Sequence, residues 1–123
     1  MREKSGSTSL ERIVGLDVPQ VHFAKNYIKI FFNYTVLTCY ALPEVHVSGE
    51  RVTLHDERYK DFLCSFIGDV VHSVSEVPKS ELRIVFGNQN YITISLRRED
   101  ARGPEAAMLS EAGGDVFDVW RYE

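Results

Sequence analysis

Hydrophobic and polar positions along this chain switch from helical to alternating spacing, and they do so twice. In the second half, Tyr59, Phe62, Leu63, Phe66 and Ile67 recur at the spacing of one helix face. Asp56 stands where an N-cap belongs and Gly68 where a helix stops, so the pattern predicts a helix over 57–67. Beyond Gly68 the period falls to two. Val71 and Val77 flank one strand, Leu82, Ile84 and Phe86 alternate with Arg83 and Val85 in the next, and Ile92, Ile94 and Leu96 mark a third. Gly87, Asn88, Gln89 and Asn90 supply turn chemistry between the last two. The first half keeps the same order: Leu10, Ile13 and Val14 before Gly15, then strands over 17–23, 27–32 and 36–40, with a tight turn near Asn33 and Tyr34.

The halves also correspond position by position. Leu10, Ile13, Val14, Gly15, Val18 and Val21 match Leu63, Phe66, Ile67, Gly68, Val71 and Val74 at a constant offset of 53 (63 − 10, 68 − 15, 74 − 21). After a one-residue slip, Ile28, Ile30 and Phe32 match Leu82, Ile84 and Phe86 (82 − 28 = 54). The slip falls between strands, where an insertion costs little. A meander buries one face and needs a cover. The expected fold is therefore α+β: two pseudo-repeated helix–β-meander units, over about 10–42 and 63–97, forming antiparallel sheets or a partly open barrel packed by one main helix.

The remaining segments are read by their punctuation. Residues 1–9 read as a flexible tail, with no apolar run of the secretory kind, ahead of a single domain over 10–123. Pro43 ends a strand, and 44–47 with 51–54 suit either a small extra hairpin or an extended crossover. In the C-terminal extension, 98–123, a charged loop leads to Pro104, which suits the first residue of a short helix running to about Leu109. Gly113 and Gly114 turn the chain into a terminal strand or docked tail carrying Val116, Phe117, Val119 and Trp120. The apolar run at Ile28, Ile30, Phe31 and Phe32 implies burial on both faces or in a dimer contact.

Composition narrows the partners. With 44% hydrophobic and 26% charged residues in a chain of 123, an ordinary globular core is within reach. The net charge of −4 and pI near 5.6 argue against nucleic acid. Tyr27, Phe31, Tyr34 and Tyr40 could stack bases on a sheet, but only Lys25 and Lys29 lie among them. No apolar run approaches the roughly 20 residues that cross a bilayer, so no membrane partner and a cytoplasmic location are expected. Cys39 and Cys64 are expected as buried, reduced thiols rather than a disulfide.

Catalytic and metal signatures are absent at the level of spacing. His22, His46, His55 and His72 lack a repeating short interval; His46 and His55, with Cys39 or Asp56, come nearest to a ligand set. Cys64 falls mid-helix, where a thiol nucleophile is not expected, and Gly113-Gly114 precedes a strand rather than a helix. No cofactor, metal or catalytic residue is therefore assigned. The densest polar group is Arg97, Arg98, Glu99, Asp100, Arg102 and Glu105, near Tyr91, Phe117, Trp120 and Tyr122. Alternating charges in a loop ordinarily pair with one another in solvent, yet arginine beside Trp and Tyr is also the composition of a binding edge. The candidate binding residues are those six together with Trp120 and Tyr122; for Trp120 the competing reading is plain core.

The stretch from Ile92 through Ser95, Leu96, Arg97, Arg98 and Glu99 to Asp100, with Gly103, Pro104, Glu105, Ala106, Ala107 and Trp120, resembles a family of small bacterial proteins without an assigned activity. The front half, from Val14-Gly15 through Tyr27-Ile28 to Leu37-Thr38, is similar to the same group. Some members of that family lie near toxin and immunity loci, and the resemblance carries over no functional residue. It implies a small interaction protein. The leading expectation is thus a non-enzymatic protein-interaction module, immunity-like in its sharpest form, with a protein partner or a second copy (homodimer). The alternatives are a small-ligand protein with a pocket between the two repeats, and an enzyme pairing Glu99, Asp100 or Glu105 with a histidine.

Overall fold

A computed structural model describes residues 8–122. Among them, alternation becomes ten strands: β1 (Gln20–Phe23), β2 (Ile28–Phe32), β3 (Thr35–Cys39), β4 (Glu44–Val47), β5 (Glu50–Val52), β6 (Val71–Val77), β7 (Glu81–Phe86), β8 (Tyr91–Ser95), β9 (Glu105–Glu111) and β10 (Val116–Arg121). They form two five-stranded antiparallel sheets, ordered β1-β2-β3-β9-β10 and β5-β4-β8-β7-β6. Helical segments are few and short. The described residues are thus mostly antiparallel sheet within a mixed α+β class, and they form two open sheets rather than a barrel.

Each meander is local, whereas each outer pair of strands arrives from elsewhere. The β4–β5 hairpin follows the first meander in sequence but pairs with β8 of the second, Val45 opposite Ile92. The β9–β10 hairpin follows the second meander but pairs with β3 of the first, Leu109 opposite Leu37. The hairpin expected within 44–54 is therefore formed. Asn33 at φ 58 and the pair Ser48 (φ 52) and Gly49 (φ 81) supply the left-handed turns that fit two-residue hairpin loops.

One core joins the sheets. Ile30, Phe32, Leu37 and Leu109 come from one sheet, and Ile84, Phe86, Ile92 and Ile94 from the other. Leu10 and Ile13, on a 3-10 helix over Ser9–Ile13, are fully buried against them. The helix α1 (Tyr59–Cys64) adds Tyr59 and Leu63, and the Phe66 ring lies 4.5 Å from that of Phe86. Tyr59 also donates its hydroxyl proton to the Pro43 carbonyl at 2.5 Å, which ties α1 to the β3–β4 crossing.

The approaches to β1 and β6 run side by side and exchange backbone hydrogen bonds. Gly15 N–H donates to the Val71 carbonyl (2.9 Å) and Val71 N–H to that of Leu16 (2.9 Å). Gly68 N–H donates to the Val18 carbonyl (2.8 Å) and Val18 N–H to that of Asp69 (3.1 Å). Val18 and Val71 are buried, so their backbone groups need these partners. Gly15 (φ 86) and Gly68 (φ 93) make the bends that bring the segments together.

Several expectations are corrected. The helix over 57–67 shortens to α1, followed by turns as far as Gly68: the Phe66 and Ile67 N–H groups donate only three residues back, to Leu63 and Cys64, and the Gly68 N–H donates to Val18. Asp56 accepts from the Arg58 backbone N–H (2.8 Å), so it shapes the turn before α1 instead of capping it. Cys64 is exposed, since so short a helix buries only Tyr59 and Leu63. The strand expected over 17–23 is interrupted at Pro19, leaving a lone bridge between Asp17 and Val70 and then β1. The helix expected from Pro104 is instead β9. Pairing with both β3 and β10 there overrides the helix propensity of Ala106 and Ala107. Of the tail expected over 1–9, residues 1–7 lie outside the described residues. Thr8 accepts from Leu10 N–H (3.3 Å) and donates to Glu76 (2.8 Å), and Ser9 opens the 3-10 helix.

Two measurements test this account. Gly68→Ala places no Cβ within 4 Å of a neighbour, so its cost is that of the backbone alone. It should lower stability by about 1–2 kcal/mol in urea unfolding, with an unchanged m-value; an unaltered midpoint would contradict the bend. A thiol reagent should label Cys64 in the folded protein and Cys39 only after denaturation, because Cys39 is fully buried and burial pushes its thiol pKa up.

Candidate functional site

The two sheets present different outer faces to solvent. On the β5-β4-β8-β7-β6 sheet the outward positions are charged and engaged with one another. Arg51 grips both Glu44 carboxylate oxygens (2.9 and 2.7 Å), and its hydrogen bond holds that carboxyl below its ordinary pKa. Arg83 pairs with Glu81 (2.9 Å) and lies over the Tyr91 ring, 4.6 Å from its centroid. On the other side, Tyr91 stacks on His46 with centroids 4.3 Å apart and planes 7° from parallel. Burial lowers the His46 pKa more than the neighbouring Glu44 raises it.

Beside this face lies a groove of about 370 Å³, formed where the chain twice crosses between sheets. Its lining includes Leu42 and Pro43 from the first crossing, His55 beyond β5, and Arg97, Asp100 and Arg102 from the second. Asp100 accepts from the Ser95 hydroxyl (2.6 Å) and from Arg97 Nε (3.3 Å). The Arg97 backbone N–H donates to the same hydroxyl (3.1 Å). The charged loop, which contains a 3-10 turn over Arg98–Asp100, is thus folded back on itself with its arginines at the groove.

The eight candidate residues do not form one cluster. Arg97, Asp100 and Arg102 meet in the groove. Arg98 and Glu99 point into solvent on the 3-10 turn. Glu105 opens β9 and faces Arg121 across the hairpin at 3.5 Å. Trp120 is 1% exposed within the core, so it is no part of a surface. Tyr122 is half-buried; burial pushes its phenol pKa up while nearby Arg102 opposes the shift. The carboxylate–histidine contact that an enzyme reading requires is missing from Glu99, Asp100 and Glu105: Asp100 is held by Ser95 and Arg97, and Glu105 by Arg121. His46 and His55 lie apart in role, one stacked on Tyr91 and the other lining the groove. No group of three or more His, Cys, Asp or Glu among the described residues could hold a metal ion, and no described helix is long and apolar enough to cross a membrane.

The outer face of the β1-β2-β3-β9-β10 sheet was only partly marked by sequence. Phe31 and Lys29 face outward from β2, opposite Val36 and Thr38 on β3 and, beyond them, Ser110 and Met108 on β9. Tyr27 and Tyr40 meet edge to face at 6.1 Å, Lys29 lies over Tyr27, and His22 packs against Phe31 at 4.6 Å. Tyr27, Lys29, Phe31 and Tyr40, with Val36, Thr38 and Met108, line a depression of about 280 Å³. Val36 and Thr38 at its centre are 4% and 3% exposed although they point away from the core. Phe31 carried a signal, an aromatic residue at an outward position between Ile30 and Phe32; Met108 and Val36 carried none, because their face depends on pairing with β9.

Comparison of the chain with protein-family models, curated proteins and solved structures finds no match.

The His46 stack yields a titration test. A histidine whose folded pKa is depressed adds stability above its unfolded value and loses that contribution as the pH falls. The His46 ring should therefore titrate below the ordinary histidine value in NMR, and Tyr91→Ala, which opens one ring face to water, should move it upward. An unmoved value in the variant would count against burial as the cause.

Proposed function

We propose that this protein is a non-enzymatic protein-binding module, and that it meets its partner with the outer face of the β1-β2-β3-β9-β10 sheet. The observation carrying this reading is the burial of Val36 and Thr38, at 4% and 3% exposure, on a side of the sheet that faces water. The solvent side of an antiparallel sheet is ordinarily polar. Here Phe31, Val36 and Met108 stand among Lys29, Thr38 and Ser110, and Tyr34 is 81% exposed at the β2–β3 turn beside them. Tyrosines on rigid strands offer contact area at small entropic cost, which suits a preformed binding face. The other sheet also buries an outward residue, Thr93 at 7% exposure, but its cross-strand neighbours Glu44 and Arg83 are charged and already hold Arg51 and Glu81. The resemblance to proteins found near toxin and immunity loci favours a partner whose working surface is covered by this face, an immunity-like mode. A second copy of the chain on the same face is the competing occupant.

We also infer that the two halves are copies of one helix–meander–hairpin unit. Reciprocity at the junction supports this. A shift of 53 positions turns the Gly15-to-Val71 hydrogen bond into the Gly68-to-Val18 bond, and the Val18-to-Asp69 bond into the Val71-to-Leu16 bond (68 − 15, 71 − 18, 69 − 16). The hairpins fit the same scheme, each joining the meander of the other half. In this reading 44–52 and 105–121 are counterparts rather than an insertion and an extension.

The binding face is tested with three baits in pull-downs from the source cell: the native protein, Phe31→Asp with Met108→Asp, and Arg51→Glu on the opposite sheet. The expected outcome is a protein recovered by the native and Arg51→Glu baits and lost with the double variant. Equal recovery by all three would remove the assignment of this face. Size-exclusion mass that falls from dimer to monomer only in the double variant would identify the partner as a second copy.

A further inference from the structure

We propose that the groove holding Arg97, Arg102 and His55 binds the oxyanion, carboxylate or phosphate, of a small polar molecule. This site lies on the other sheet from the protein-binding face and does not depend on it. Its volume of about 370 Å³ falls within the roughly 300–1,000 Å³ typical of small-molecule sites.

The sign of the ligand follows from which groups are already satisfied. Each carboxylate of the groove has its donor: Glu44 has Arg51 at 2.7 Å, Glu81 has Arg83 at 2.9 Å, and Asp100 has Ser95 at 2.6 Å. Each of these carboxylates also faces an arginine, Asp100 facing Arg97 at 3.3 Å, so its charge is already offset, and among the described residues Arg102 is the arginine of the lining left without a carboxylate partner. The donors are in the opposite condition. Arg97 spends only its Nε on Asp100, at 3.3 Å, which leaves its terminal amino groups uncommitted. Among the described residues the side chains of Arg102 and His55 make no hydrogen bond or ion pair. A guanidinium presents its donors in a fixed fork that matches a carboxylate or phosphate edge. The surplus of N–H donors therefore selects an anion.

The rest of the lining describes the body of the ligand. Ser80 and Thr53 offer hydroxyls, while Leu42 and Leu54 offer apolar contact. Arg102 also borders a second depression, of about 420 Å³, with Asn26 and Tyr40. It thus stands as the wall between two hollows, where an anionic end could be gripped while the remainder of the molecule extends into either.

The test is an NMR titration of the intact protein with sodium phosphate and, separately, sodium citrate, at ionic strength held constant with chloride. Saturable shifts are expected at the amides of Arg97, Arg102 and His55. Arg102→Gln and Arg97→Gln should each weaken binding about tenfold or more, the scale of a lost charged hydrogen bond. Arg58→Gln, a surface arginine engaged by Asp56 and Glu50, should leave it unchanged. Saturation by phosphate alone assigns a phosphoryl ligand, by citrate alone a carboxylate, and by both a general oxyanion site. The proposal is overturned if neither anion saturates, or if Arg102→Gln and Arg97→Gln keep the native spectrum and bind as tightly as the native chain.

Discussion

Four backbone hydrogen bonds between 15–18 and 68–71 set the geometry on which the rest of the molecule depends. Val18 and Val71 are buried, so their N–H and C=O groups could not be left to water. Once each is satisfied by the other segment, the starting points of β1 and β6 are fixed relative to one another. The apolar faces of the two meanders then close on a single core. Glycine at 15 and 68 is the condition for this, since both positions adopt positive φ. The helices are consequences more than causes: the 3-10 helix and α1 fill the space left where these segments turn.

Much of this was legible as periodicity. Strands β2, β7 and β8 follow the alternation of Ile28, Ile30 and Phe32, of Leu82, Ile84 and Phe86, and of Ile92 and Ile94. The turn at Asn33 and the glycine bends were readable for a local reason, the cost of positive φ to other residues. What could not be read depends on partners distant in sequence. β9 looks helical by propensity and becomes a strand only because β3 and β10 lie on either side. Cys64 was placed inward by helical phase, a guide that fails when the regular helix covers only Tyr59–Cys64. The charged loop was visible as composition, but its meeting with His55 and Leu42 required the two crossings, which no local pattern encodes.

The chain uses comparable frameworks for different surfaces. On one sheet arginine and glutamate neutralise each other, Arg51 with Glu44 across β5 and β4 and Arg83 with Glu81 along β7, and an aromatic–imidazole stack completes the cover. Such a face gains little from a partner, because a competing contact must first break pairs already made. On the other sheet the contacts among Phe31, His22 and the tyrosines are ring contacts rather than ion pairs. Binding there would bury apolar area with little polar desolvation. The two surfaces differ chemically, although Tyr40 borders both the aromatic depression and the hollow that Arg102 adjoins.

The exchanged hairpins also govern how the chain can be made. Leu37 on β3 waits for Leu109 on β9, 72 positions later (109 − 37), before its sheet is complete. Synthesis proceeds from the N-terminus, so the first meander leaves the ribosome with an open hydrogen-bonding edge and keeps it until the last hairpin has emerged. Neither half can finish folding alone, because each lends its closing strands to the other. Assembly is therefore a late, cooperative event dominated by distant contacts, slow by the standards of a chain this size. A ribosome that stops short of β9 would release a meander with an uncapped edge, open to pairing with other chains or to proteolysis.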